Sequence, residues 1–147
     1  RSLRDWSSDV CSSDLIVRQN ILHIPKMGVL NGHPGVLPAY RGIDCPHWAL
    51  LKGDYDKIGA SVHWVDKGID TGRIIATQKF SAKGIKEISL LEERVYDLCS
   101  EMIVDVVVKI SNGNYLEGTP QFANEGQQYY KMSCKDLNTL KTTLQSF

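Results

Sequence analysis

The sequence lacks the features that mark membrane, secreted and nucleic-acid-binding proteins. No apolar run approaches the length of a membrane span, and the first residues lack the charged-then-apolar pattern of a signal peptide. The 17 basic and 17 acidic side chains cancel and form no long block of one sign. Composition therefore gives no support for binding to nucleic acid or to an anionic membrane surface, and we expect a cytoplasmic protein with neither partner.

Cysteine is sparse, and no two cysteines have the Cys-x-x-Cys spacing of a zinc knuckle or a redox pair. We predict reduced thiols; a disulfide framework, which is more typical of a short secreted domain, is the alternative. A metal site built from His33, His63 and Asp66 has no characteristic ligand spacing in its favour, so we expect no metal.

The first fourteen residues, RSLRDWSSDVCSSD, have neither a helical nor a strand period. They resemble translated sequencing-adapter sequence, and we interpret residues 1–14 as a non-native scar. A disordered, serine-rich native leader is the alternative. The whole chain of 147 residues is 42% hydrophobic, which is enough for one globular domain with a real core.

Strand and helix patterns alternate along the rest of the chain, which favours an α/β domain with a mostly parallel sheet flanked by helices. Short apolar or β-branched runs predict strands at 27–31, 58–65 and 72–80, and a further short strand at 129–130. The near-continuous apolar character of 58–65 and 72–80 predicts burial on both faces. No internal repeat or low-complexity tract is present.

Three helices are predicted from start signals and apolar periods. Residues 44–53 combine Asp44 as an N-cap, a proline in the first turn and a glycine stop. Ser89-x-x-Glu92 has the form of a capping box ahead of an apolar stripe at helical spacing, formed by Leu91, Val95, Leu98, Met102 and Val106. A last helix from about residue 133 would bury Leu137, Leu140 and Leu144.

The stretch NGHPGVLPAYRG, residues 31–42, follows the first predicted strand and is rich in proline and glycine. Extended backbone has a period of two, so Asn31 and His33 should project to one side, and Pro34 disfavours a helical conformation at His33. An amide that donates to a carbonyl oxygen beside an imidazolium suits acyl transfer. The alternative is ordinary, because a histidine beside a turn is often a capping or packing residue.

Three stretches together resemble the catalytic core of the formyltransferases that use 10-formyltetrahydrofolate: GVLNGHPGVLPAYRG, PHWALLKGD and GASVHWVDKGIDTGRII. The signature of this family, Asn-x-His, a Leu-Pro turn and a later Asp-x-Gly, is matched in order and spacing at Asn31, His33, Leu37-Pro38 and Asp70-Thr71-Gly72. The resemblance covers about residues 16–110. It implies the C-terminal part of a Rossmann-like formyltransferase domain, 10-formyltetrahydrofolate as the formyl donor and a small-molecule amine as the acceptor.

The resemblance also implies roles for single residues. Asn31 would hydrogen-bond the formyl oxygen, His33 would stabilise or protonate the developing oxyanion, and Asp70 would orient His33 and help to move the proton of the attacking amine. From the residues alone, Asp70 reads better as part of a local Asp-Thr-Gly turn. His63 matches a histidine common in the family and either lines the site or is a core residue.

Two more residues follow the rigid turn. Arg41 and Gly42 are candidates for holding an anionic group of the amine substrate, although a solvated arginine is the plainer interpretation. A noncatalytic small-molecule-binding or regulatory domain with the same fold is the alternative to an enzyme. Presence of the amide, the imidazole and the carboxylate together favours the enzyme.

Family members carry several strand and helix units ahead of the Asn-x-His motif, whereas only about sixteen plausible native residues precede it here. We therefore expect a chain truncated at its N-terminus, with a partial catalytic core at 15–112 and a C-terminal extension at 113–147 that ends in a short helix. A sheet without its early strands would expose an apolar edge. On this interpretation the polypeptide as written is unstable and inactive, and the intact gene product is the enzyme.

Overall fold

A computed structural model describes residues 22–145, and the predicted scar at 1–14 lies outside this range. Residues 22–145 contain five strands: β1 Leu30–His33, β2 Tyr40–Gly42, β3 Gly59–Trp64, β4 Ile74–Lys79 and β5 Gln127–Tyr129. Three α-helices lie entirely within the same range: α1 Cys45–Leu51, α2 Ile88–Ser111 and α3 Cys134–Gln145. Short 3-10 turns occupy Tyr55–Lys57 and Ala123–Glu125. The α/β class predicted from the sequence is confirmed.

Strand direction differs from the expected mostly parallel sheet. The strands β1, β3 and β4 form a three-stranded sheet in which both pairs are antiparallel, and only the separate β2–β5 pair is parallel. The loop between β3 and β4 covers only residues 65–73. A parallel pair needs a crossover of a dozen or more residues, usually a helix, so this short loop forces the antiparallel arrangement.

Burial is also uneven between the two long strands. Residues 59–63 of β3 are all buried, as predicted, because β3 is the central strand and α2 packs against it. In β4 the last three residues are exposed, so the prediction of burial on both faces was wrong for this strand. β4 lies at the edge of the sheet, where fewer neighbours cover it.

The long helix α2 confirms the predicted apolar stripe. All five residues of the stripe are buried: Leu91, Val95, Leu98, Met102 and Val106. The predicted capping box was wrong, however, because the helix begins at Ile88 with Glu87 as its N-cap, and no side chain caps it. The Ser89 hydroxyl instead lies 3.5 Å from the Glu87 carboxylate. The spacing of the apolar residues therefore predicted the helix correctly, whereas the Ser-x-x-Glu pattern did not predict its first turn.

The N-cap acid of α1 also acts differently from the prediction. Asp44 takes a left-handed conformation with φ of 54° and makes no side-chain cap. Its carboxylate accepts a hydrogen bond from the Met132 backbone N–H at 2.8 Å, which ties the start of α1 to the chain ahead of α3. The reciprocal capping pair lies at α3, where the Ser133 hydroxyl accepts from the Asp136 N–H and the Asp136 carboxylate accepts from the Ser133 N–H.

The hydrophobic core joins the C-terminal segment to the rest of the described chain. Leu140 and Leu144 of α3 are fully buried, and α3 packs against α1. Tyr129 of β5 stacks on Tyr40 of β2 with ring centroids 4.8 Å apart. Among residues 22–145, no helix combines the length and the apolar character that a membrane crossing requires.

Candidate active site

Two neighbouring strands bring the polar residues of the site together. In the antiparallel register of β1 and β3, Asn31 lies opposite His63 and His33 lies opposite Ser61. Asn31 and His33 project from the same face of β1, as the period of two predicts. Gly32 between them faces α2, where an added Cβ would lie 2.9 Å from the Ile103 side chain. The glycine therefore lets the strand approach the helix while the two polar groups face the site.

Asp70 forms the centre of the cluster. It lies in the β3–β4 loop and adopts a left-handed conformation with φ of 52°. One carboxylate oxygen lies 3.4 Å from both the Asn31 Nδ2 and the His63 Nε2 atoms. The other oxygen lies 3.5 Å from the His33 Nδ1 atom and accepts a 2.8 Å hydrogen bond from the Gly42 N–H. Four groups from three strands thus meet at one side chain.

His33 is buried, with 2% of its surface exposed. Its Nε2 atom lies 2.8 Å from the Tyr40 carbonyl oxygen, and because a carbonyl only accepts, Nε2 carries a proton. The Nδ1 atom faces the Asp70 carboxylate, so a second proton there would create an ion pair. Burial lowers the pKa of His33 below its ordinary value, although the Asp70 charge acts in the opposite direction.

The turn after β1 leaves no room beside the His33 ring. A Cβ at Gly35 would lie 2.6 Å from the His33 Nε2 atom. Residue 35 must therefore be glycine if the imidazole is to reach the Tyr40 carbonyl. At Gly35, the glycine in this stretch is thus required because a side chain would collide with the His33 ring.

His63 is also buried and has a defined orientation. Its Nδ1 atom donates to the Trp64 carbonyl at 2.8 Å, and its Nε2 atom lies 3.2 Å from the Asn31 amide nitrogen and 3.4 Å from an Asp70 carboxylate oxygen. For the Asp70 carboxyl, burial would raise the pKa, but the hydrogen bond to His63, the charge of His33 and the Gly42 N–H together lower it. Asp70 is therefore an anion at neutral pH.

Arg41 and Gly42 occupy different positions around this cluster. Arg41 is only 6% exposed, and its guanidinium donates to the Gln121 side-chain oxygen at 3.0 and 3.2 Å and to the Phe122 carbonyl at 3.1 Å. The Gly42 N–H already binds Asp70. A Cβ at Gly42 would lie only 2.1 Å from the Tyr129 carbonyl oxygen, so the close pairing of β2 with β5 also depends on glycine here.

Sequence reasoning missed Gln121. Its side-chain amide donates to the Asp70 carbonyl at 3.0 Å and to the Gly72 carbonyl at 2.6 Å, while its oxygen accepts from Arg41. The residue lies in a polar, glycine-containing segment with no periodic pattern, and it is 80 positions from Arg41. No local signal in the sequence could have indicated this contact.

The expectations about cysteine and metal can be compared with the described residues. Cys45, Cys99 and Cys134 are free thiols, as predicted, and Cys11 lies outside the described range. Between residues 22 and 145, no group of three or more His, Cys, Asp or Glu side chains is arranged to hold a metal ion. Asp66, one member of the rejected ligand set, accepts hydrogen bonds from the Thr71 hydroxyl and the Gly68 N–H within its own loop.

The chain thus has an α/β fold that carries a cluster of amide, imidazole and carboxylate groups. A sequence model described as formyl transferase matches residues 10–107, about two thirds of the chain. The chain therefore belongs to the formyl transferase family.

Individual relatives agree with this assignment. A methionyl-tRNA formyltransferase from Herminiimonas arsenicoxydans is 32% identical over 131 residues, which covers 89% of this chain and 40% of that protein. The formyltransferase PseJ from Anoxybacillus kamchatkensis is 25% identical and superposes with a TM-score of 0.67 over 84% of this chain and 61% of its own. Its crystal structure is a complex with UDP-4,6-dideoxy-4-formamido-L-AltNAc and tetrahydrofolate.

Glycinamide ribonucleotide transformylase 1 from Symbiobacterium toebii shares the fold at 24% identity, with a TM-score of 0.61 over 71% of this chain and 50% of its own. The chain spans only 36% of the length of the methionyl-tRNA formyltransferase from Flavobacterium johnsoniae and 40% of the Herminiimonas relative. The match is thus a match to part of each relative.

Proposed function

We propose that the protein transfers a formyl group from 10-formyltetrahydrofolate to a primary amine of a small molecule or a nucleotide sugar. Membership of the formyl transferase family supports the reaction class. The PseJ structure, with tetrahydrofolate and a formamido nucleotide sugar, supports both the donor and this kind of acceptor. The observation that carries the proposal for this chain is that Asn31 and His33 each have a polar atom within 3.5 Å of the Asp70 carboxylate.

The reaction is a direct transfer between two nitrogens. The amine nitrogen bonds to the formyl carbon, a tetrahedral intermediate carries negative charge on the former carbonyl oxygen, and the bond from this carbon to the folate nitrogen then breaks. The attacking amine loses one proton, and the folate nitrogen gains one. No covalent enzyme intermediate is needed.

Asn31 is positioned to donate to the growing oxyanion. Its amide nitrogen has two protons, and its contact with Asp70 at 3.4 Å is long, so a formyl oxygen can replace that contact while the neighbouring His63 ring, 3.2 Å away, holds the amide in place. A preorganised donor of this kind lowers the barrier because it is already oriented when the charge develops.

His33 and Asp70 supply charge and proton transfer. An imidazolium at His33, with its second proton on Nδ1 facing Asp70, would stabilise the oxyanion. Asp70 orients the ring and, as an anion with a lowered pKa, assists the departure of the amine proton through the cluster. His63 lines the site by orienting Asn31. Binding of an anionic substrate group by Arg41 and Gly42 stays a prediction.

The alternative to an enzyme, a noncatalytic small-molecule-binding or regulatory domain, would require a different arrangement of these side chains. A binding module has no need to hold an amide, an imidazole and a carboxylate in mutual contact, whereas an oxyanion site does. The 3.5 Å distance between the His33 Nδ1 atom and the Asp70 carboxylate therefore supports the enzyme over the binding domain.

The test is formyl transfer by the protein, assayed with 10-formyltetrahydrofolate and a panel that includes amino nucleotide sugars and glycinamide ribonucleotide. Removal of one oxyanion donor typically costs about 10²–10³ in kcat, so we expect a loss of this size for Asn31→Ala. His33→Ala removes the positive charge that pairs with Asp70, so it should also lower kcat well beyond threefold. His23→Ala changes an exposed histidine outside the cluster and should leave the rate unchanged. Transfer by His33→Ala within about threefold of wild type would refute the role of His33.

A further inference from the structure

Two side chains outside the catalytic cluster hold the loop that carries Asp70. Gln121 lies between β2 and the β3–β4 loop and contacts both. Its amide nitrogen donates to the Asp70 and Gly72 carbonyl oxygens at 3.0 and 2.6 Å, and its oxygen accepts two hydrogen bonds from Arg41. The Arg41 guanidinium also donates to the Phe122 carbonyl at 3.1 Å, so it grips the backbone next to Gln121 as well.

The chemistry of these partners fixes the orientation of the Gln121 amide. Arginine has only donors, so the amide oxygen must face Arg41. Carbonyl oxygens only accept, so the amide nitrogen must face Asp70 and Gly72. The flipped amide would turn its nitrogen toward the donors of Arg41 and its oxygen toward the two carbonyl oxygens. Arg41 is only 6% exposed, so leaving its guanidinium without an acceptor would be costly.

Asp70 needs such support because its backbone is strained. A residue other than glycine with a φ of 52° is in the left-handed region, where its own side chain crowds the backbone. The carboxylate end of Asp70 is held by the Gly42 N–H at 2.8 Å, and its carbonyl end is held by Gln121 at 3.0 Å. Both restraints lead back to β2, because Arg41 and Gly42 are adjacent in that strand.

We propose that Arg41 and Gln121 are a pair of positioning residues that hold Asp70 toward His33 and His63. This inference rests on the proposed formyl transfer and deepens it, since it assigns to Arg41 a role in preparing the catalytic carboxylate, which is the alternative to the predicted contact with an anionic substrate group. Neither residue touches the reacting atoms. Their effect on the reaction passes through the position of one carboxylate.

The surrounding loop has its own attachments, so loss of the pair need not unfold it. Thr119 and Ile74 exchange two backbone hydrogen bonds at 2.7 and 2.8 Å. The Arg73 side chain donates to the Glu117 and Gly118 carbonyls and to the Glu117 carboxylate. Variants at residue 121 can therefore report on positioning in a folded protein.

The experiment compares three substitutions in the protein. Gln121→Met keeps the length of the side chain but removes its donor and its acceptor. Gln121→Glu keeps an acceptor for Arg41 but has no donor for the Asp70 and Gly72 carbonyls. Gln128→Met makes the same glutamine-to-methionine replacement at an exposed residue of β5 and serves as the matched control. Urea unfolding confirms that each variant is folded.

The first readout is the NMR titration of the histidine side chains, which requires no activity. The titratable groups that face His33 are Asp70 from the β3–β4 loop, His63 from β3 and Cys45 from α1, and burial raises the pKa of the Cys45 thiol. The Asp70 charge raises the pKa of His33, so a displaced carboxylate should lower it further in Gln121→Met. Gln128→Met should titrate as wild type. An unchanged His33 titration in folded Gln121→Met overturns the inference.

The second readout is the rate of transfer. We expect kcat to fall at least tenfold in both Gln121 variants while KM for the amine stays within about threefold, because positioning acts on the chemical step. Wild-type kcat in Gln121→Glu would show that the hydrogen bonds from Gln121 to the Asp70 and Gly72 carbonyls are not needed for catalysis, and the inference would be wrong for Gln121.

If Arg41→Met raises KM with kcat unchanged, Arg41 binds substrate and the inference is wrong. Wild-type protein that transfers no formyl group refutes the proposed function, whereas the titration still decides the positioning.

Discussion

At the scale of single residues, the site depends on how Asp70 and His33 share protons. His33 is buried, one ring nitrogen is committed to the Tyr40 carbonyl and the other faces the Asp70 carboxylate at 3.5 Å. Burial favours the neutral ring and Asp70 favours the charged one, and the burial effect is the larger. A ring held between these two tendencies is suited to gain a proton only when negative charge develops beside it.

This balance predicts a pH dependence of stability. His33 has a folded-state pKa below its ordinary value of about 6.5, so the unfolded chain binds more protons as the pH falls below 6.5. The free energy of unfolding that His33 contributes is therefore fully present above pH 6.5 and is lost as the pH falls toward the folded-state pKa. We expect His33→Gln to lose less stability than wild type between pH 7.5 and pH 5.5, measured by urea unfolding.

The pH experiment has an internal control. His23 is exposed, so His23→Gln should lose as much stability as wild type over the same interval. The Asp70 carboxyl does not contribute in this window, because its pKa is lowered from 3.8 and it is ionised throughout. Identical pH profiles for wild type and His33→Gln would contradict the burial argument.

At the scale of elements, α2 is the clearest example of a helix whose position is set by one face. The buried stripe packs on β1 and β3, whereas Val104, Val107 and Val108 on other faces are 49–61% exposed. The helix is apolar on more than one side, so its composition alone does not identify the packed face. The helical spacing of the stripe does, because residues three and four apart share one side.

Adjacent valines in α2 give a direct test of this face. Val106 is 1% exposed and Val107 is 49% exposed. Val106→Ala should lower the free energy of unfolding by about 1–3 kcal/mol, because it removes buried methyl groups and leaves a cavity. Val107→Ala should change it by no more than about 0.5 kcal/mol. Urea unfolding at neutral pH measures both changes. Equal effects would contradict the assignment of Val106, and not Val107, to the packed face of α2.

At the scale of the whole molecule, the balance of charge is the basis for the expectation that this chain does not bind nucleic acid. Matched relatives include methionyl-tRNA formyltransferases, of which the chain covers about 36–40%. The chain itself carries 17 basic and 17 acidic residues without a basic block. Binding to tRNA derives most of its affinity from neutralised phosphates, so the absence of net positive charge predicts weak binding to tRNA.

We therefore expect no saturable binding of labelled tRNA by this chain in fluorescence anisotropy at 50 mM salt. A duplex DNA of similar length serves as the comparison for nonspecific attraction. Binding that is tight at 50 mM salt and falls by orders of magnitude at 200 mM would indicate several phosphate contacts and would contradict the expectation. Such a result would also move the candidate acceptor from a small amine to an aminoacyl-tRNA.

Much of the site was predictable wherever neighbours in sequence are also neighbours in space. Asn31 and His33 share a face because strands alternate sides, and the apolar stripe of α2 is buried because helices repeat every 3.6 residues. The start signals were less reliable. Asp44 and Ser89 have the right residue types for caps, yet Asp44 binds the Met132 N–H and Ser89 contacts Glu87, because tertiary partners compete for the same side chains.

The sequence by itself determined the α/β class, the pairing of amide and imidazole on one strand face, and the family. Only the tertiary structure decided that β1 pairs antiparallel with β3 and that Gln121 links Arg41 to Asp70 across 80 and 51 positions. The physical reason is that backbone geometry fixes which residues two to four positions apart share a face. Contacts between distant segments depend on loop paths and strand pairing, which no local preference encodes.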